Sequence, residues 1–229
     1  MSAKPAFDLT LYLIVGSDVT QGRSLDEVVT AAVRGGATLV QLREKTFPDA
    51  ELVAAARALK SRLAPLGVPL IINDRVEAAQ AAGADGVHLG QDDLDAVRAR
   101  AILGPDALIG VSAGTPEEAA RVDQGLADYV GIGSVYATAT KPDAGPPIGI
   151  AGLAALAATL APLPVVAIGG IGARNAAQVM AAQYIAGSSA ADGIAVVSAI
   201  CGAQDAEAAA RALRREIDAG REVAAVRSS

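Results

Sequence analysis

Histidine and cysteine are nearly missing from this chain, and tryptophan is missing altogether. A single histidine, His88, cannot build a multi-histidine metal centre, and any Ser-His-Asp triad would have to use it. The single cysteine, Cys201, cannot close an internal disulfide. Two Phe and four Tyr leave no row of aromatic platforms on which single-stranded nucleic acid could stack. Positive charge is short as well. Lys and Arg number 19 against 25 Asp and Glu, and the net charge of -6 has the wrong sign for wrapping a polyanion, so nucleic acid is excluded as a partner. Apolar residues, by contrast, make up 52% of 229 residues, with 24 glycines among the rest. That is ample for a large core and excludes a disordered chain. The composition fits a cytoplasmic, Ala- and Gly-rich α/β protein.

No membrane segment is expected. Residues 10–15 (TLYLIV) are too few for the core of a secretion signal. Residues 144–173 carry no charge, but Pro146, Pro147, Pro162 and Pro164 break the run and Gly169-Gly170 interrupts its end. This stretch reads as a loop, a helix and a buried strand.

Short apolar runs rich in Val and Ile recur along the chain, as expected of strands buried on both faces. They are Leu11–Val15, Thr38–Arg43, Leu70–Asn73, Gly86–Leu89, Leu108–Ser112, Tyr129–Ser134, Val165–Gly170 and Gly193–Ala199. Helical patterns separate them at Ser24–Arg34, Asp49–Leu66, Val76–Ala82, Leu94–Leu103, Pro116–Leu126, Ile150–Leu160, Asn175–Ala186 and Asp205–Arg221. Ser24 ahead of Asp26-Glu27, and Thr115-Pro-Glu-Glu, mark two helix starts. Eight strand-then-helix units predict a single (β/α)₈ barrel domain spanning residues 1–229, its core at about 10–215 and its tail frayed after about Ala219. A doubly wound open sheet is the alternative, but the first strand runs into Gly-Ser-Asp-Val-Thr-Gln-Gly rather than a G-x-G-x-x-G turn. Ala-rich outer helices would suit a homo-oligomer.

In a barrel the chemistry belongs at the C-terminal strand ends, and polar residues fall there repeatedly. The second strand ends in Gln41-Leu-Arg43-Glu44-Lys45, where alternation sends Gln41, Arg43 and Lys45 to one side. Cations leaving a buried strand call for an anion, either a ligand phosphate or a neighbouring carboxylate such as Glu44. Asn73-Asp74 and His88-Leu-Gly-Gln-Asp-Asp93 end the next two strands. Asp74 and Asp93 are the hard oxygen ligands that Mg²⁺ prefers beside a diphosphate, or else they cap the helices that follow. His88 reads as a hydrogen-bonded core histidine, and Cys201 as a packing residue. Thr138, Thr140 and Lys141, then the glycine run at Gly170 and the Val197-Ser198 turn, offer donors to a second phosphate. The pattern therefore gives two anion sites and a magnesium site without a nucleophile–base pair.

The chain resembles the thiamine phosphate synthase family at these residues. The motifs are Leu11-Tyr-Leu-Ile, Gln41-Leu-Arg-Glu-Lys45, Ile72-Asn-Asp74, Ala84-Asp-Gly-Val-His-Leu-Gly-Gln-Asp-Asp93 and Gly110-Val-Ser112. Tyr129-Val-Gly-Ile-Gly, Thr138-Ala-Thr-Lys141, Gly149-Ile-Ala-Gly-Leu153, Ala167-Ile-Gly-Gly-Ile171 and Val196-Val-Ser-Ala-Ile200 continue them in the same order. The resemblance implies a Mg²⁺-dependent transferase coupling hydroxymethylpyrimidine diphosphate to a thiazole phosphate. Diphosphate leaves first, and the thiazole nitrogen traps the pyrimidine-stabilised carbocation. It implies Gln41, Arg43, Lys45 and Asn73 for the pyrimidine diphosphate, and Asp74 and Asp93 for the metal. Ser112 and Lys141 would contact the departing diphosphate, so Arg43, Lys45, Lys141 and Ser112 form the catalytic set. Thr138, Thr140, Gly170, Val197 and Ser198 would hold the thiazole phosphate.

Two features depart from the family pattern. Ala113-Gly114-Thr115 stands where Ala-His-Thr is frequent. The stretch from Gln183 to Asp192 is longer than the usual Gly-Ala-Asp-Gly turn, and it is expected beside the thiazole phosphate pocket. The related thiazole tautomerase shares the fold but calls for a catalytic histidine at the Gly114 segment. A phosphosugar isomerase barrel would need an acid/base pair, and a catalytically silent binder of the same intermediates would be expected to have lost one of the charged residues.

Overall fold

In a computed structural model of the chain, residues 4–140, 145–185 and 188–227 are described. Among these residues ten strands follow one another as β1 (Leu11–Val15), β2 (Leu39–Leu42), β3 (Leu70–Asn73), β4 (Gly86–Leu89), β5 (Leu108–Ala113), β6 (Tyr129–Ile132), β7 (Val165–Ile168), β8 (Gln183–Ile185), β9 (Ser188–Ser189) and β10 (Gly193–Val196). All but β8 and β9 form a closed parallel barrel in the order β1-β10-β7-β6-β5-β4-β3-β2. Closure is carried by β1, which pairs with β2 on one side and through Leu11 to Ile194 with β10 on the other. The open-sheet alternative is thereby excluded.

The strands are mostly apolar on both faces because each face meets a core. Along β1, Tyr12 and Ile14 point inward with Leu39, Ile71, Leu108, Tyr129 and Val166. Leu11, Leu13 and Val15 face outward to the surrounding helices. Those are α1 (Leu25–Arg34), α2 (Asp49–Leu63), α3 (Val76–Ala82), α4 (Ala96–Leu103), α5 (Pro116–Ala120), α6 (Gly149–Leu160), α7 (Ala176–Met180), α8 (Ser198–Cys201) and α9 (Ala206–Arg227). Ser24 and Glu27 form a complete capping box on α1, and the Thr115 hydroxyl accepts the Glu118 N–H at 3.2 Å.

Helix bounds differ most from the sequence reading at three places. The helix expected at 116–126 stops at Ala120, because the Asp123 carboxylate accepts the Gly125 N–H at 2.9 Å and turns the chain. The helix expected at 175–186 stops at Met180, and the β-prone residues after it form the β8–β9 hairpin. The tail expected to fray after Ala219 continues as α9 to Arg227, seated by buried Ile217 and by Gly220 against α7.

The N-terminal rim of the barrel is tied by three aspartates, each following an alanine and opening a strand. Asp85, Asp128 and Asp192 accept the backbone N–H groups of Leu70, Ile109 and Val165 at 2.8, 2.8 and 2.7 Å. Lys60 sits on Asp85 and Arg100 on Asp128, at 2.5 and 2.9 Å. These bonds satisfy strand-opening donors that have no ladder partner.

The long segment before β10 belongs to this rim, which corrects its expected position beside the thiazole phosphate pocket. Ala190 donates to the Ala182 carbonyl, Asp192 to the Val165 carbonyl, and Arg221 to both the Asp192 carbonyl and the Thr10 hydroxyl. A helix-to-strand connection in a barrel returns to the N-terminal end, whereas ligands meet the strand-to-helix loops at the other. None of its described residues lines the cavity at the C-terminal end.

Candidate active site

A cavity of about 1210 Å³ opens at the C-terminal end of the barrel. Arg43 and Ser112 enter it from the β2 and β5 side, and Thr138, Thr140, Gly170, Val197 and Ser198 from the β6, β7 and β10 side. Gln41, Lys45, Asn73, Asp74 and Asp93 are outside its lining. Lys45 is exposed on the loop after β2. Lys141 lies outside the described residues.

Arg43 leaves β2 with its N–H bonded to the Val15 carbonyl at 2.8 Å. The adjacent carboxylate does not neutralise it. Glu44 is buried and turned to the loop after β1, accepting the Ser17 N–H at 2.5 Å and the Ser17 hydroxyl at 3.0 Å. Among the described residues neither Arg43 nor Lys45 forms an ion pair. Arg43 therefore keeps its charge for the cavity it lines and for the Asp74 carboxyl beside it.

Asp74 and Asp93 form a carboxylate pair next to Arg43. Asp74 has φ +62°, a left-handed conformation that costs a non-glycine residue energy, and its N–H donates to the His88 carbonyl at 2.9 Å. The turn lifts its carboxyl out of the β3 line toward Asp93. Burial first, then hydrogen bonding and charge repulsion from Asp93, push the Asp74 carboxyl up to about 6. Asp93 is itself oriented, accepting the Gly90 N–H at 2.6 Å. Neither residue caps a helix. Asp95 caps α4 by accepting the Arg98 N–H at 2.8 Å, and α3 starts after Arg75 without a side-chain cap. Two close carboxylates at this cost suit a divalent cation sharing its remaining positions with substrate oxygens and water. Among the described residues no group of three or more His, Cys, Asp or Glu could hold a metal alone.

The opposite wall is built from backbone. Gly170 has φ +63°, and a Cβ there would lie 2.5 Å from the Ala137 carbonyl oxygen, so only glycine lets the β6 and β7 loops meet. Asn175 clamps this loop, accepting the Gly172 N–H at 2.8 Å and donating to the Gly170 carbonyl at 3.0 Å. The Thr138 hydroxyl accepts the Thr140 N–H at 3.2 Å and curls its own loop over the cavity. Sequence reasoning passed over Arg174, exposed on the cavity edge, although it stands two residues after Gly172 of the glycine run. It also passed over Gln91, whose amide donates to the Ser112 carbonyl at 2.6 Å.

Beneath the cavity, side chains from five strands hydrogen-bond in series. Gln41 Nε2 donates to the Tyr12 hydroxyl at 2.7 Å, and the Tyr12 and Tyr129 hydroxyls are 2.9 Å apart. Tyr129 lies 3.2 Å from His88 Nδ1, and His88 Nε2 lies 2.9 Å from Ser112 Oγ. Cys201 is buried against the Ile14 carbonyl, and burial pushes its thiol up to about 12, far from a reactive thiolate.

A closed barrel with a cation, a hydroxyl and a glycine cradle around one C-terminal cavity defines an enzyme that handles phosphorylated small molecules. The matches to known proteins are narrower. Residues 11–200 fit the family model described as thiamine monophosphate synthase, and the chain belongs to that family. A thiamine-phosphate synthase of Xanthobacter autotrophicus is 54% identical over 215 residues, 94% of this chain and 98% of that one. One of Moorella thermoacetica is 46% identical over 217 residues, 95% and 99% of the two chains. Among solved structures, thiamine phosphate pyrophosphorylase from Pyrococcus furiosus superposes with a TM-score of 0.81 at 36% identity, covering 93% of this chain and 97% of that one. A 3-hexulose-6-phosphate synthase, at 21% identity and TM-score 0.63, shares the fold alone. Among the described residues no helix is long and apolar enough to cross a membrane.

Proposed function

We propose that this chain joins hydroxymethylpyrimidine diphosphate to a thiazole phosphate, or to its carboxylated form, releasing diphosphate. The observation that carries the reading is the two-sided cavity: Arg43 and Ser112 reach it from one wall, and the Thr138 and Gly170 loops reach it from the other. Two phosphorylated substrates thus have separate anchors around a shared space.

In the reaction the bond between the pyrimidine methylene carbon and the diphosphate oxygen breaks, and its electron pair leaves with the diphosphate. The thiazole nitrogen then donates its lone pair to the methylene carbon. With the carboxylated thiazole, CO₂ leaves as well. Asn73 orients the pyrimidine diphosphate, with Gln41 buried beneath it against Tyr12, while Arg43, Lys45, Lys141 and Ser112 bind the diphosphate as its charge grows. Asp74 and Asp93 would hold Mg²⁺, which when bound supplies charge neutralisation to the leaving group. Thr138, Thr140, Gly170, Val197 and Ser198 hold the thiazole phosphate and aim its ring nitrogen.

The tautomerase alternative needs a histidine side chain after β5. A Cβ at Gly114 would stand 2.6 Å from the Gly133 carbonyl oxygen, leaving no room for one here. Phosphorus NMR of a reaction containing both substrates and Mg²⁺ tests the proposal. Free diphosphate should appear in step with thiamine phosphate, and binding of both substrates without turnover would leave a silent binder instead.

A further inference from the structure

We infer that His88 is a positioning residue, held in one tautomer by a buried hydrogen-bond chain so that Ser112 presents its hydroxyl proton to the cavity. The role assigned to that proton rests on the reaction proposed above; the polarity of the chain does not.

The direction is set at the β2 end. Gln41 Nε2 carries only hydrogens, so the Tyr12 oxygen accepts from it. Tyr12 then spends its one proton on the Tyr129 oxygen, and Tyr129 spends its own on His88 Nδ1. Burial holds both phenols well above their ordinary range, so each keeps that proton. With Nδ1 an acceptor, the neutral ring carries its proton on Nε2, which donates to Ser112 Oγ. The Ser112 oxygen is thereby filled on its inner side, and its hydrogen is left for an acceptor in the cavity that Ser112 lines. In the reverse polarity Ser112 would donate inward to the ring and turn lone pairs toward a polyanion, which is repulsive. Under the proposed reaction, the acceptor is an oxygen of the departing diphosphate.

The surrounding sequence makes room for this ring. A Cβ at Gly110 would fall 2.2 Å from Tyr129 Cζ and 2.5 Å from His88 Nδ1. One at Gly131 would fall 3.2 Å from His88 Cε1. Gly110 on β5 pairs in register with both His88 and Tyr129, whose rings lie 5.5 Å apart, and Gly131 on β6 pairs with Ser112.

His88 is the only histidine in the chain, so protein labelled with ¹⁵N-histidine reports its ring nitrogens without assignment. The unliganded wild type should show a protonated Nε2 and a bare Nδ1 at neutral pH. A protonated Nδ1 overturns the inference whatever the activity, and absence of activity with the expected tautomer overturns the proposed reaction instead. In kinetics, His88→Gln places an amide donor near the Nε2 position. It should keep kcat within a few-fold, while His88→Leu loses on the order of a hundredfold, the scale of one transition-state donor, with KM little changed. Equal losses in both variants would reduce His88 to packing. Tyr129→Phe removes the phenol proton from Nδ1 and should yield a mixture of tautomers; an unchanged spectrum contradicts the chain. The wild-type spectrum decides if a variant fails to fold.

Discussion

The carboxyl of Asp74 lies within hydrogen-bonding reach of Asp93, in a turn whose left-handed backbone at Asp74 only the surrounding contacts sustain. Without a cation this pair costs stability, since a half-buried carboxyl lifted to about 6 is charged at neutral pH at a penalty. Asp93→Asn keeps the acceptor for Gly90 and removes one charge. In metal-free buffer it should raise the melting temperature by a few degrees, corresponding to about 1 kcal/mol once solvent screening is allowed for. Turnover should fall at least tenfold, and added Mg²⁺ should restore it only in part. Calorimetry with EDTA and a Mg²⁺ titration of the rate check the two halves separately.

Gly170→Ala tests the opposite wall. The left-handed backbone and the Ala137 carbonyl 2.5 Å from the new methyl must both yield, and the left-handed conformation alone costs about 1–2 kcal/mol. The KM for the thiazole phosphate should rise on the order of tenfold, with the KM for the pyrimidine diphosphate nearly unchanged. Steady-state kinetics with each substrate varied in turn reads the difference.

Asp128 lies at the far end of the barrel. It accepts the Ile109 N–H, pairs with Arg100, and takes a hydrogen bond from Lys4. Asp128→Ala leaves a strand-opening donor and a guanidinium without their partner, and should cost about 2–3 kcal/mol of stability. The kcat at 25 °C should stay near wild type, because the rim is remote from the cavity. Urea unfolding and the standard rate assay check this pairing of effects.

The architecture was readable because most barrel strands are short runs of buried apolar residues, so Leu11–Val15 or Leu70–Asn73 could hardly be anything but buried strands. The strand-end placement of Arg43, Asp74 and Ser112 followed from the same register. Links between distant strands were not readable. Tyr12 and Tyr129 stand 117 positions apart, and nothing in either neighbourhood shows that their hydroxyls meet. The rim aspartates escaped for a related reason: one carboxylate before a strand says little until the neighbouring strand's free N–H lies beside it. The end of the barrel at which the Gln183–Asp192 segment sits was not readable either, because it lies near Val197-Ser198 in sequence but not in space. The strand β10 separates the two.

Alkaline pH should destabilise the fold. The Tyr12, Tyr129 and Cys201 protons are held above their ordinary range by burial, Cys201 up to about 12. The unfolded chain releases the thiol proton near ~8.5 and the phenol protons near ~10, while the native chain keeps them. Fewer protons on the unfolded state mean that stability falls as pH rises, by up to about 1.4 kcal/mol per pH unit for each group. Between pH 9 and 10 the thiol dominates on this scale. Cys201→Ala should therefore flatten the slope there, although it lowers stability at pH 8 by leaving a small void. Urea midpoints across that range measure it.

The most direct measurement is a fixed-time assay with purified protein, hydroxymethylpyrimidine diphosphate, thiazole phosphate and Mg²⁺, in which product is oxidised to fluorescent thiochrome. Thiamine phosphate should form only when both substrates are present, and EDTA should abolish it. Product that survives EDTA would contradict the assigned metal pair, and no product with both substrates bound would contradict the reaction itself.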